Sequence, residues 1–227
     1  AMGGCASVAT CELIPDGEIG RGSIRHIALD NQATHRRLSR LANAIARHGA
    51  VPTAELQHAG MFANRELSMF SGASRGIAYG PVEGEIDGRH ILAMDEEMIE
   101  RTIQKYADAA RTLKSLGFGM ILLHAGHGWM LQQWLSPTIN TRTDKWGGDS
   151  IENRSRLCVA ICDAMSREVG PRFPIEVRIS GSECYDGGYD IETGIAFSKQ
   201  LEGHVDLIHV SAGNHEVDEV FAVTHPS

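Results

Sequence analysis

Apolar positions along this 227-residue chain fall into two alternating rhythms. Residues 7–13 (SVATCEL) read as a β-strand, and a Gly- and polar-rich loop follows through Gly22. From 34 to 48, Leu38, Leu41, Ala42 and Ile45 recur at helical spacing, and Gly49 supplies a stop. Residues 53–57 form a second strand, with Val51 leading in. A long excursion over 60–93, rich in Gly and Ser with scattered Arg, then breaks the rhythm, and loops of that length are usually functional or disordered. Asp95 reads as the N-cap of the next helix, because Glu96 and Glu97 fall in its first turn, where the helix dipole favours them. Ile99, Ile103, Tyr106, Ala110 and Leu113 mark that helix's buried stripe, and Gly117 ends it. Residues 120–124 (MILLH) form a third strand, apolar enough to be buried on both faces. After a long loop come a helix over 152–169, stopped by Gly170, a strand over 174–180, a helix over 190–202 and a strand over 206–211.

Strands that alternate with helices imply parallel βαβ units. The two candidate architectures are an open doubly wound sheet and a closed (β/α)8 TIM barrel. No G-x-G-x-x-G follows any strand, which weakens the dinucleotide-binding version of the open sheet. Polar groups gather at successive strand ends: Glu12, residues 55–58, 124–127, 178–180 and 211–215. Barrels carry their chemistry at that end, so the α/β barrel is the expected fold. Five strands are fewer than eight, and an open five-strand arc leaves two unpaired edges. The expectation is therefore one domain over 1–227 that is part of a larger barrel.

Composition narrows the function classes. The chain is 42% hydrophobic and 22% charged, with a formal charge of −8, which argues against a general nucleic-acid binder. The basic cluster His35, Arg36, Arg37 and Arg40 lies on a predicted helix and reads as a solvated face. No apolar run approaches the roughly 18 residues of a membrane span, and no signal peptide is visible. Cys5, Cys11, Cys158, Cys162 and Cys184 match no zinc or redox spacing. They read as buried free thiols in a reducing compartment, so a cytoplasmic location is expected.

Three segments carry a specific pattern: HAGHGWMLQQWLSP at 124–137, NTRTDKWGG at 140–148 and ENR at 152–154. In order, they resemble the Old Yellow Enzyme (NADH:flavin oxidoreductase) signature, which reads H-x-x-[HN]-G-Y-L, F-L-S-P, N-x-R-x-D-x-[YW]-G-G and E-N-R. The similarity runs along essentially the whole chain. It is nearest to the clostridial enoate-reductase and bile-acid-reductase branch and to 2,4-dienoyl-CoA reductase. It aligns this chain with barrel strands 2–6, including the long strand-3 and strand-4 loops, and leaves family strands 1, 7 and 8 outside.

The resemblance implies an ene-reductase. FMN, reduced by NADH or NADPH, passes hydride to the C=C bond of an α,β-unsaturated carbonyl compound. His124 and His127 fall on the pair that hydrogen-bonds the substrate carbonyl, where negative charge develops. Plain loop histidines and an H-x-x-H zinc pair are the other readings, and no metal site is expected. Trp129 stands where the family carries a tyrosine acid. An indole N–H is no acid, so Trp129 reads as a wall of the substrate pocket. His215, in GNHE at 213–216, resembles a G-W-H-E histidine that assists protonation, and is the third catalytic candidate. Glu55, in ELQHAG, replaces a glutamine that contacts the flavin pyrimidine, with Gln57 as a neighbouring contact or a packing residue. Arg178 matches the cation beneath flavin N1 and O2. Cys11 ends the first strand near flavin-adjacent groups, or is a satisfied strand-end residue. Arg142, Asp144 and Arg154 read as loop braces.

The resemblance further implies a small-molecule unsaturated carbonyl as partner, with neither nucleic acid nor membrane, a homo-oligomeric assembly, and a 4Fe-4S cluster in larger relatives beyond Ser227. A flavin-free barrel that binds a carbonyl or phenolic ligand without turnover is the alternative, prompted by Trp129 and Glu55. A metal-dependent hydrolase built on His124, His127, His209 and His215 is a third reading, and it lacks an arranged carboxylate set.

Overall fold

The computed structural model describes residues 1–23, 25–63, 77–86 and 88–214. Strand β1 (Ser7–Ile14) is followed by the two-residue β2 (Ile27–Ala28), helix α1 (His35–Ala46) and β3 (Val51–Leu56). The excursion contributes three short strands, β4 (Ala78–Gly80), β5 (Gly84–Ile86) and β6 (Arg89–Ala93). Then come α2 (Glu96–Ser115), β7 (Met120–Ala125), α3 (Met130–Leu135), α4 (Ile151–Val169), β8 (Ile175–Ser180), α5 (Ile191–Gln200) and β9 (Leu207–Ser211).

The main sheet runs β2-β1-β3-β7-β8-β9, and every pairing in it is parallel. All five expected strands are present, in sequence order, each joined to the next through a helix or helix-containing crossover. The 60–93 excursion is not wholly loop: β4, β6 and β5 form a separate small sheet. Arg89 helps to hold it down by donating to the carbonyls of Ala63 (2.8 Å) and Met61 (3.3 Å). The loop after β7 also contains α3, six buried residues too short to register as a helical period.

Helix ends follow local chemistry. Asp95 caps α2 by accepting from Met98 N–H at 2.8 Å, as its position predicts, and Ser150 and Asp190 cap α4 and α5 in the same way. On α1 the stripe is Leu38, Ala42 and Ile45. Leu41, three residues from Leu38 and four from Ile45, lies at the edge of that stripe and is 43% exposed. Arg36, Arg37 and Arg40 face solvent, while His35 is half-buried with Nε2 2.7 Å from the Leu29 carbonyl. The core lies between the sheet's outer face and α1, α2 and α4, with Leu56, Tyr106, Ile121, Leu123, Ile161 and Val177 fully buried. All five cysteines are free. Cys158 and Cys162 are buried as expected, whereas Cys5, Cys11 and Cys184 are exposed. No described helix is long and apolar enough to cross a membrane.

Candidate active site

Parallel register puts paired residues on one face of a sheet, and residues two apart share that face. Glu12 pairs with Glu55, Glu55 with Leu122, His124 with Arg178, and Arg178 with His209. One face of the sheet therefore carries Glu12, Glu55, His124, Arg178 and His209 side by side, opposite the face that packs on the helices. A β-bulge between Ala9 and Glu12 shifts β1 by one residue and brings Glu12 onto this row.

Two residues of this row, Glu55 and His124, are joined directly to each other and, through His124, to His127. His124 Nδ1–H donates to Glu55 Oε1 at 2.7 Å, and His124 Nε2 lies 3.0 Å from His127 Nδ1. Arg178 Nη1 stands 3.9 Å from the same Glu55 oxygen, and its Nε donates to Ser211 Oγ at 3.0 Å. Glu176 pairs with His209 at 3.2 Å, so it is not the partner of Arg178. His127 has left-handed backbone (φ 55), followed by Gly128 (φ 82), and this turns the chain from β7 toward α3. Gly126 admits no side chain: a Cβ there would lie 2.9 Å from Ser180 N.

Ser180 is the residue that sequence reasoning did not single out. Its hydroxyl accepts the His127 N–H at 3.0 Å and donates to the Gly213 carbonyl at 2.8 Å. It thereby ties the loops after β7 and β9 to β8, and a parallel bridge joins His127 to Asn214 beside it. The available signal was parity, because Ser180 shares its face with Arg178 two residues earlier. Ser211 is found by the same count on β9.

The remaining candidates separate. Trp129 is half-buried and packs against a small cluster under the excursion, with Ala59, Ala63, Ala78 and Ile91. Gln57 lies just past β3, fully buried, and neither of its amide atoms has a hydrogen-bond partner. Cys11 is exposed. His215 lies outside the described residues. Arg142 braces the loops as expected: Nη1 donates to the carbonyls of Pro81 and Met94, both at 2.8 Å, while Nε and Nη2 grip Asp144. The Arg142 guanidinium holds the Asp144 carboxyl below the usual carboxylate range. Arg154 donates to the Gly148 carbonyl at 2.8 Å. Among the described residues, no group of three or more His, Cys, Asp and Glu is arranged to hold a metal ion.

A parallel βα sheet with ionisable side chains clustered at its strand C-terminal ends is the arrangement of the α/β-barrel class. Residues 2–216 match the NADH:flavin oxidoreductase / NADH oxidase family. An NADH oxidase of Thermoanaerobacter brockii is 32% identical over 217 residues, which is 95% of this chain and 33% of that protein. An NADPH dehydrogenase of Bacillus licheniformis is 35% identical over 199 residues, 86% of this chain and 55% of that protein. Among solved structures, a 2-naphthoyl-CoA reductase in complex with 2-naphthoyl-CoA superposes with TM-score 0.85 at 28% identity, covering 95% of this chain and 34% of that one. The Old Yellow Enzyme of a Pichia species superposes with TM-score 0.75 at 23% identity, covering 89% and 57%, and shows the same barrel fold.

The chain belongs to the NADH:flavin oxidoreductase / NADH oxidase family, a family of flavin- and NAD(P)H-dependent oxidoreductases with the TIM-barrel fold. It spans from a third to little more than half the length of these curated relatives.

Proposed function

We propose that the protein is an FMN-dependent ene-reductase that uses NADH or NADPH to reduce the C=C bond of α,β-unsaturated carbonyl compounds. The observation that carries this reading is the joined cluster of Glu55, His124 and His127, with Arg178 beside the same carboxylate, on the face of the sheet not covered by helices. The chemistry of the donor set fits a flavin. Its pyrimidine edge offers one N–H donor and several acceptor oxygens and nitrogens. Glu55 Oε2 accepts, and the Arg178 guanidinium donates with a fixed positive charge. When bound, the flavin supplies hydride transfer. The chain's own residues position the substrate. In this reading His127 and His124 hold the substrate carbonyl oxygen, and Trp129 gives an apolar wall without an acidic proton.

A flavin-free binding barrel is the second reading. It is favoured by one observation: Glu55 Oε1, in a position matched to a flavin-contacting glutamine, is already occupied by His124. Absorbance of the purified protein, supplied with FMN and then reduced anaerobically with NADH or NADPH, separates the two. A flavin band that bleaches with nucleotide, with enone turnover reduced about 100-fold or more in His124→Ala or His127→Ala, is the expected result. No retained flavin leaves the binding barrel.

A further inference from the structure

The turn that carries His127 is held at its peptide groups by buried side chains. His127 N–H donates to Ser180 Oγ at 3.0 Å. Gly128 is gripped at both polar atoms: its N–H donates to Gln132 Oε1 at 2.8 Å, and its carbonyl accepts from Gln133 Nε2 at 2.8 Å. Consecutive helical residues point about 100° apart, so these two fully buried amides leave α3 in different directions. Gln133 reaches the loop after β3, donating to the Ala59 carbonyl at 3.1 Å and accepting the Met61 N–H at 3.0 Å. Gln132 reaches the loop after β8, where its Nε2 donates to Glu183 Oε1 at 3.2 Å. Glu183 is itself fully buried. Its Oε2 accepts from the Ser136 hydroxyl at 2.9 Å, the Tyr189 N–H at 3.0 Å and the Tyr185 hydroxyl at 3.3 Å.

The Gln132 amide has one satisfactory orientation. The Gly128 N–H can only donate, so the amide oxygen faces it, and a carboxylate only accepts, so the amide nitrogen faces Glu183. Turning the amide over loses both bonds in a site without solvent to replace them. We propose that Glu183, acting through Gln132, is a positioning residue for the His127–Gly128 turn, and that carbonyl binding at His127 depends on it. This rests on the reading of His127 as the group that meets the substrate oxygen. Glu55, His124 and Arg178 are not among the partners of Gln132 or Glu183, so this relay can be altered with the Glu55–Arg178 pair and the Glu55–His124 bond in place. Glu183→Gln breaks it. If the new amide keeps its oxygen toward Tyr189 N–H, its nitrogen meets the Gln132 nitrogen, and no turn of either amide pairs every donor. Adding Gln132→Glu restores the pattern with the charge moved. The carboxylate at 132 then accepts from Gly128 N–H and from the amide nitrogen at 183, and the amide oxygen at 183 keeps the other three donors.

The test compares wild type, Glu183→Gln and the double variant Gln132→Glu/Glu183→Gln, each purified and supplied with FMN. Hydrogen exchange at Gly128 N–H and the affinity for cyclohexenone without nucleotide are measured in all three. In Glu183→Gln, Gly128 N–H is expected to exchange about tenfold faster or more, while Leu123 and Val177 N–H in β7 and β8 keep their wild-type rates, and enone affinity is expected to fall about tenfold. The double variant is expected to recover most of both losses. A double variant no better than Glu183→Gln overturns the proposal. So does a Glu183→Gln protein that loses Gly128 protection yet binds the enone as wild type does, since the relay then only braces the loops. If Glu183→Gln does not fold, scalar coupling across the hydrogen bond from Gly128 ¹⁵N to the Gln132 side-chain carbonyl carbon decides: its presence in wild type upholds the relay, and its absence overturns it. Failure of cyclohexenone to bind wild type counts against the ene-reductase reading, and exchange at Gly128 in the three proteins still upholds or overturns the relay.

Discussion

His127, which the proposed function sets against the substrate carbonyl, has a costly backbone. A residue with a β-carbon at φ 55 is held in the left-handed region at roughly 1–2 kcal/mol, and such strain persists where the surroundings over-determine it. Here the restraints are its N–H bond to Ser180 and its ring contact with His124. Asparagine enters the left-handed region more readily than alanine. His127→Asn is therefore expected to be about 0.5–1 kcal/mol more stable than His127→Ala in urea unfolding, and to keep more enone turnover, because its amide still donates where alanine cannot. Equal stabilities would show that the turn, not the residue, carries the strain. At this scale the sequence was legible in its chemistry and blind in its contacts. The family resemblance assigned His124, His127, Glu55 and Arg178 to one site. It did not show that Glu55 turns to His124, because that pairing depends on the sideways register of β3 against β7, with the two partners 69 positions apart.

Among the elements, the excursion over 60–93 departs most from what the pattern predicted. Its strands have three to five residues, too short for an alternation to stand out, and they are paired to one another instead of to the main sheet. What seats them is Arg142, on the loop after β7, whose Nη1 bridges the carbonyls of Pro81 and Met94 on either side of β5 and β6. Charge-assisted bonds of this kind contribute about 1.5–3 kcal/mol each. Arg142→Lys keeps the charge and loses the planar fork that serves both carbonyls and Asp144 at once. It is expected to destabilise the protein by about 1–3 kcal/mol. Hydrogen exchange should rise first at Met94 N–H, which bonds the Gly80 carbonyl, before the main sheet opens. Uniform exchange across both sheets would show that Arg142 does not seat the excursion. The main βα order was readable throughout, because each of its strands is a long apolar or alternating run closed by a Gly stop or an N-cap such as Asp95 or Asp190.

For the whole molecule, acid stability should fall in two separable stages. His58, just past β3 and fully buried, is pulled down to about 4 from an ordinary 6.5 by burial, against a smaller opposing pull from the Asp16 carboxylate. Its Nδ1 accepts the Gly60 N–H at 3.0 Å, which a protonated ring could not do. The folded state thus binds its proton less readily than the unfolded chain. The contribution is fully present above 6.5 and is lost as pH falls toward 4. Asp144, held down by Arg142, and Asp190, held down by the Thr193 N–H and hydroxyl, give stability that disappears only at lower pH, in the carboxylate range. The sequence showed the histidine but not its burial, which follows from the close approach of Gly20 to its ring edge. His58→Asn offers an uncharged acceptor for the Gly60 N–H and should flatten the first stage. Unfolding free energies at about pH 6.5 and about pH 4.5 are expected to differ by about 2 kcal/mol more in wild type than in the variant. An unchanged difference would assign the upper stage to the other histidines, and would place His58 in an environment wet enough to ionise in the folded state.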